Sequence, residues 1–312
     1  MRRVLKKARA IALYSIVAAI LISVCASACA RTRPGPTIRV GSVGDDEQSL
    51  LAEITTLYLE ARRYDVECCP PEDTATEARA CLEDGSVDIW WQYSGDTWSV
   101  DLAHDQPIVD ADELYERICT EDGARGITWL GPSPAEQSVT LVVADRLVSD
   151  FAMQTFSDLV AYQDSVDPYL WLCAPGSLVD SASGVQGLER VYGLRFRRDL
   201  IVAQALDDAY ASVRDGVCDC ALGHATDPRV SEYGLVALTD DRAFFPASNL
   251  AIGVRTEVLA TYPELEQVLT ELAAEATSEE LVAMQTQLKL GGTDARGLAR
   301  AFLRRHGLLF ER

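Results

Sequence analysis

The stretch Thr37–Arg62, "TIRVGSVGDDEQSLLAEITTLYLEAR", changes its periodicity at one point. Up to Val43 it is rich in β-branched residues, and Gly44, Asp45 and Asp46 then form a turn. Beyond the turn, apolar residues fall at 50, 51, 54, 57, 58 and 61, the spacing of one helix face, and acids in the first turn complement the helix dipole. The stretch reads as strand, turn and helix. Working outward, "YDVEC" (64–68) is a second strand, "TEARACLEDG" (76–85) a helix closed by Gly85, and "VDIWWQY" (87–93) a third strand. Such alternation predicts a largely parallel sheet covered on both faces, an α/β lobe.

The same order returns after the Pro-containing "LGPSPAEQ" (130–137). Strands at 139–144, 169–175, 199–204 and 218–223 are separated by helices near 156–162, 183–193 and 207–216. "FFPASNLAIGVR" (244–255) reads as a crossing segment, and the tail from Pro263 is helical and amphipathic. The expected organisation is a first lobe from 38–134 and 246–312, a second from 135–245, and a ligand cleft between them at the carboxyl ends of the strands.

The first nine residues are basic and Ala10 to Ala30 carry no charge, the pattern of an export signal, although that length also suits a bilayer span. "ASAC" (26–29) resembles the lipobox of bacterial lipoproteins, which favours a lipid anchor on Cys29 over an uncleaved helix. Residues 1–28 would then be a lipoprotein signal peptide and 29–37, with "RTRPGPT", a tether holding the body outside the cytoplasm at the cell membrane. Removing 1–28, with five basic residues and no acid, takes the formal net charge from −20 to −25. Nucleic acid is excluded as a partner by that charge, and a cationic solute would be steered toward it.

Of nine cysteines, Cys25 falls in the signal and Cys29 at the anchor, leaving an odd number, seven, in the body. Outside the cytoplasm disulfides are the default, and the strand positions point to Cys173 with Cys218 or Cys220, and Cys68 or Cys69 with Cys81. Three scattered histidines show no zinc-like spacing, so no metal is expected. There is no Gly-rich phosphate loop, no G-x-S-x-G and no H-E-x-x-H, so neither a cofactor nor catalysis is indicated.

"GSVGDDEQSLLAEITTLYLE" (41–60) followed by "ATEARACLEDGSVDIWWQYSGD" (75–96) resembles the substrate-binding proteins of osmoprotectant ABC importers, which bind choline, glycine betaine and related quaternary amines. The likeness continues through "GHATDPRV" (223–230), "FFPASNLAIGVR" (244–255) and "LARAFLRRHGLL" (298–309). It implies a two-lobed, type II periplasmic-binding-protein-like fold with two crossing segments and C-terminal helices, which closes on its ligand and docks on a membrane permease. It also implies an aromatic cage, since a quaternary ammonium donates no conventional hydrogen bond and is held by ring faces.

Carried over by position, Tyr93 is the cage tyrosine and Gln48 a polar contact at a helix start. Strand alternation lets only one of Trp90 and Trp91 face the cleft, and Trp90 is taken as the candidate, with Trp98 as further ring area. Asp96 replaces a frequent threonine, and a carboxylate there favours a net cation such as choline over a zwitterion. Three family tyrosines are absent: Val139, His224 and Ser248 stand in their places. Ser138, Thr226, Asp227 and Asn249 complete a polar set that would suit a more polar solute.

The residues therefore leave several readings open. One is a receptor for a quaternary amine, and another is the same scaffold for a different small polar or cationic solute. A third, from another class, is an extracytoplasmic enzyme or thiol-redox protein. A sensor ectodomain is a fourth, for which no further domain is expected after "LLFER".

Overall fold

A computed structural model describes residues 35–104, 106, 108–137, 139–174, 184–203, 206–246, 248–289 and 291–309. The expected signal peptide, Cys29 and Ser138 lie outside these residues. The helices are α1 (Asp46–Ala61), α2 (Ala75–Asp84), α3 (Ala111–Gly123), α4 (Asp145–Phe151), α5 (Phe156–Ser165), α6 (Val185–Tyr192), α7 (Leu206–Arg214), α8 (Pro228–Glu232), α9 (Thr256–Thr261), α10 (Leu265–Glu275), α11 (Ser278–Lys289) and α12 (Ala295–Arg305). The strands are β1 (Ile38–Val40), β2 (Val66–Cys68), β3 (Ile89–Tyr93), β4 (Ile127–Trp129), β5 (Val139–Ala144), β6 (Leu170–Ala174), β7 (Phe196–Ala203), β8 (Cys220–His224), β9 (Leu235–Ala237) and β10 (Leu250–Arg255).

The helix starts follow from the caps. Asp45 accepts a hydrogen bond from the Gln48 backbone N–H at 2.7 Å, and Thr74 accepts one from Glu77 N–H at 3.2 Å. Gly85 ends α2 with φ 84°, and any Cβ there would also lie 1.9 Å from the Arg255 guanidinium.

Two five-stranded sheets result, in the orders β2-β1-β3-β10-β4 and β7-β6-β8-β5-β9. The expectation of largely parallel sheets needs one correction in each. β10 runs antiparallel to β3 and β4, and β5 antiparallel to β8 and β9. The reason is topological: a strand arriving from the other sheet enters at the cleft end, where the parallel strands leave, so it must run the opposite way. β4 and β9, three residues each, were too short to show a period.

Strand alternation divides the first sheet's core. Trp91 packs with Tyr58, Leu50 and the C-terminal helices on one face, while Trp90 packs with Trp98 and Trp129 on the other. Arg296 of α12 ties that layer to α1 through Glu53 at 2.8 Å and Glu60 at 2.9 Å. The chain leaves the first sheet after β4 and returns to it ahead of β10. There Glu136 and Asn249 form a single antiparallel bridge, Gln137 N–H donates to Ser248 O at 2.8 Å, and Leu250 N–H donates to Ala135 O at 2.9 Å.

Cys173 is bonded to Cys218, with their Cα atoms 5.9 Å apart. Both belong to the Tyr210 face of the second sheet, whereas Cys220 is on the opposite face with Leu172 and Leu222, which excludes it as the partner. The other expected bridge is absent: Cys68, Cys69 and Cys81 are free thiols. Cys68 packs on the α1 side of its sheet, and the Cys81 thiol points to Glu72 Oε1 at 3.5 Å. Among the described residues no helix is long and apolar enough to cross a membrane.

Candidate functional site

A cleft of about 570 Å³ opens where the two sheets face each other. The first lobe contributes the β1–α1 turn and the first turn of α1 (Asp45, Asp46, Glu47 and Gln48), the end of β3 (Trp90, Gln92 and Tyr93), Asp96, and Gln285 and Lys289 from α11. Gln137 comes from the crossing segment, and His224, Asp227 and Arg229 from the second sheet and α8. The lining is rich in carboxylates.

Tyr93 forms the aromatic wall. Its buried phenol donates to Glu47 Oε1 at 2.7 Å, and the Gln285 amide donates to Glu47 Oε2 at 2.6 Å, so ring and carboxylate hold each other in place. Burial is the main cause that pushes Glu47 up to about 7. The Tyr93 hydrogen bond opposes it, the nearby Asp45 charge adds to it, and smaller contributions come from Gln285 and Asp227. Burial and the Glu47 charge in turn raise the Tyr93 phenol.

The turn after β3 is short and bent. Ser94–Asp96 form a helical turn that runs into a π-helical turn, Thr97–Asp101, a form that recurs at functional sites. Asp96 is accessible from the cleft, and the protein around it raises its pKa. The turn is clamped from below. Ser94 N–H donates to Asn249 O at 2.9 Å, Asn249 N–H to Ser94 Oγ at 3.0 Å, and Gly95 N–H to Ser248 Oγ at 3.2 Å. A Cβ at Gly95 would meet Ser248 Oγ at 2.8 Å, so glycine is needed for this approach.

Several sequence expectations are revised by these contacts. Ser248 and Asn249 hold the turn's backbone and do not line the cleft, nor does Thr226. Gln48 lines it, but its Oε1 accepts from Trp90 Nε1 and its Nε2 donates to Trp91 O, both at 3.1 Å. Its amide thus orders the strand beneath the cleft. Asp227 caps α8 and forms a two-point ion pair with Arg229, so its carboxylate neutralises the cleft's arginine. Trp90 reaches the lining although it is fully buried, and Trp91 is core, donating to Thr55 Oγ1 at 2.8 Å. Trp98 turns away, stacked on His104 at 3.7 Å with its Nε1 donating to Gln106 O.

On the opposite wall His224 ends β8, paired with Val139. Its Nδ1 is buried without a hydrogen-bond partner, and burial lowers its pKa to about 4, so the ring is neutral at physiological pH. Two places where cage tyrosines were looked for thus hold an aliphatic and an imidazole side chain. Glu47, Gln92, Gln285, Lys289 and Arg229 were not anticipated. Glu47 sat next to Gln48 in the decisive stretch, whereas Gln285 meets it from 238 residues away and left no local trace.

A family model described as "Substrate binding domain of ABC-type glycine betaine transport system" matches residues 36–305. The chain is 28% identical over 279 residues to a "Glycine-betaine-binding protein" of Pseudomonas aeruginosa strain PAO1, covering 88% of this chain and 89% of that one. It is 25% identical over 278 residues to "Glycine betaine-binding protein YehZ" of Escherichia coli K12, covering 86% and 90%. Among solved structures, one described as a "glycine betaine/carnitine/choline ABC transporter" superposes with a TM-score of 0.78 at 20% identity, covering 88% of this chain and 98% of that chain.

Proposed function

We propose, from the premise that the chain belongs to the family of substrate-binding domains of ABC-type glycine betaine transport systems, that it captures a quaternary ammonium solute of the choline or glycine betaine type in the cleft beside Tyr93 and hands it to a membrane permease. The family is one of solute-binding proteins and not of enzymes. The reading includes an extracytoplasmic body held to the membrane by lipid on Cys29. The leader composition supports that placement.

The observation that carries the reading is the pairing of one ring with unneutralised carboxylate at a single wall: Tyr93, Glu47 and Asp96. A cation placed there gains ring attraction of about 0.5–2 kcal/mol and Coulomb attraction in a partly desolvated site. A zwitterion gains the first and loses part of the second, so choline is expected to bind more tightly than glycine betaine. A second reading, the same receptor for a different small polar or cationic solute, is favoured by His224, an imidazole in the lining at a place where the resemblance implied a tyrosine.

Isothermal titration with choline, glycine betaine, carnitine and proline betaine tests both. Saturable choline binding that weakens about tenfold or more in Tyr93→Ala is expected, since truncation also releases Glu47 from its hydrogen bond. Heat from none of the four would overturn the quaternary amine assignment and leave the second reading.

A further inference from the structure

Asp227 is paired with Arg229, but Glu47 is held by two neutral donors and, among the described residues, forms no ion pair. The charges that act on it most strongly are Asp45 and Asp227, both negative. A carboxylate fixed at both oxygens, facing a cleft and surrounded by like charge, lacks only its counter-ion. On the reading that this cleft is the ammonium site, we propose that Glu47 is the solute's counter-charge and specificity-determining residue, receiving the cationic group against the Tyr93 ring. Asp96 then plays the lesser part, because Tyr93 and Gln285 donate to Glu47 and fix that carboxylate, not Asp96, against the ring.

The assignment makes capture proton-linked. Burial holds Glu47 near 7, so in the empty cleft it is mostly neutral at pH 6 and mostly ionised at pH 8. A cation binds the ionised form, lowers its pKa and expels the proton. Burial also raises the carboxyls of Asp45, Asp96 and Asp227 around the same cleft, so the Glu47→Gln variant is what separates their part from that of Glu47. His224 from β8 is already neutral above about pH 4, and burial raises the Tyr93 phenol. From α11, Gln285 does not titrate and the Lys289 ammonium acts on Asp227, which also carries the Arg229 ion pair.

Titration of the purified protein with choline at pH 6 and pH 8 is expected to show about tenfold weaker binding at pH 6, the ratio of ionised fractions for a group near 7. At pH 7, repeating the titration in two buffers of different ionisation enthalpy should reveal about half a proton released per choline. Glu47→Gln should bind at least about tenfold more weakly at pH 8, with no pH slope and an unchanged melting temperature. Choline affinity independent of pH in the wild type, or a Glu47→Gln variant that keeps the slope, overturns the proposal while leaving the cleft's assignment intact. Absence of binding by choline and glycine betaine at both pH values overturns the assignment itself, and this inference with it.

Discussion

Replacing Asp122 with alanine is expected to destabilise the protein by about 3–5 kcal/mol, the cost of stranding a buried charge. Asp122 is fully buried at the end of α3 and binds the equally buried Arg79 of α2 through both oxygens, with Arg79 NH1 at 2.8 Å from Oδ2. Trp129 Nε1 of β4 donates to the same Oδ2 at 2.7 Å. One carboxylate therefore joins two helices and a strand beneath the ligand turn. Without it, Arg79 keeps its ion pair with Glu83, at 2.7 Å on a partly exposed side chain. At roughly 2–4 °C per kcal/mol for a chain of this order of size, the melting temperature should fall by about 6–20 °C. Asp122→Asn, which keeps an acceptor but no charge, should lose less; equal losses for the two variants would show that the retained acceptor contributes nothing and that the whole effect lies in the charge.

The second large effect is expected on removing the Cys173–Cys218 bond. Its sequence separation of 45 corresponds in the chain-entropy account to about 4 kcal/mol of stabilisation. The double variant Cys173→Ser, Cys218→Ser should melt markedly lower than the wild type, and treatment of the wild type with a reductant should reproduce the loss. Thermal melting with and without dithiothreitol checks this. A wild-type melting temperature that ignores the reductant would mean that the bridge contributes nothing measurable. The free thiols offer no substitute: Cys220 points to the other face, and its pKa is raised by full burial.

The scaffold was legible because its signals are local. The change of period at Gly44, the left-handed Gly85 and the alternation of Trp90 and Trp91 each depend on neighbours within a few residues, and each stands where the sequence put it. The direction of β10 was not legible, because a strand's sense depends on the side from which the chain returns. At the site, residue type and position indicated Tyr93 and Asp96, but not how groups are used. Gln48 has the expected position and a different task, since two indole strand residues consume its hydrogen bonds. Ser248 and Asn249 were likewise near the ligand turn in sequence pattern, yet act through its backbone. Glu47 acquires its character only from Tyr93 and Gln285, contributed by elements that no window of sequence spans together.

The turn that carries Asp96 is fastened to Ser248 and Asn249, and Asn249 is also half of the bridge with Glu136 where the chain passes between the sheets. A solute pressing on the turn therefore pulls, within two residues, on the segment about which the sheets would pivot. The bonds of this clamp join Ser94 and Gly95 to Ser248 and Asn249, neither of which lines the cleft. Substitutions at Ser248 or Asn249 would therefore reach the cleft wall through the backbone of the turn and not through contact with a solute.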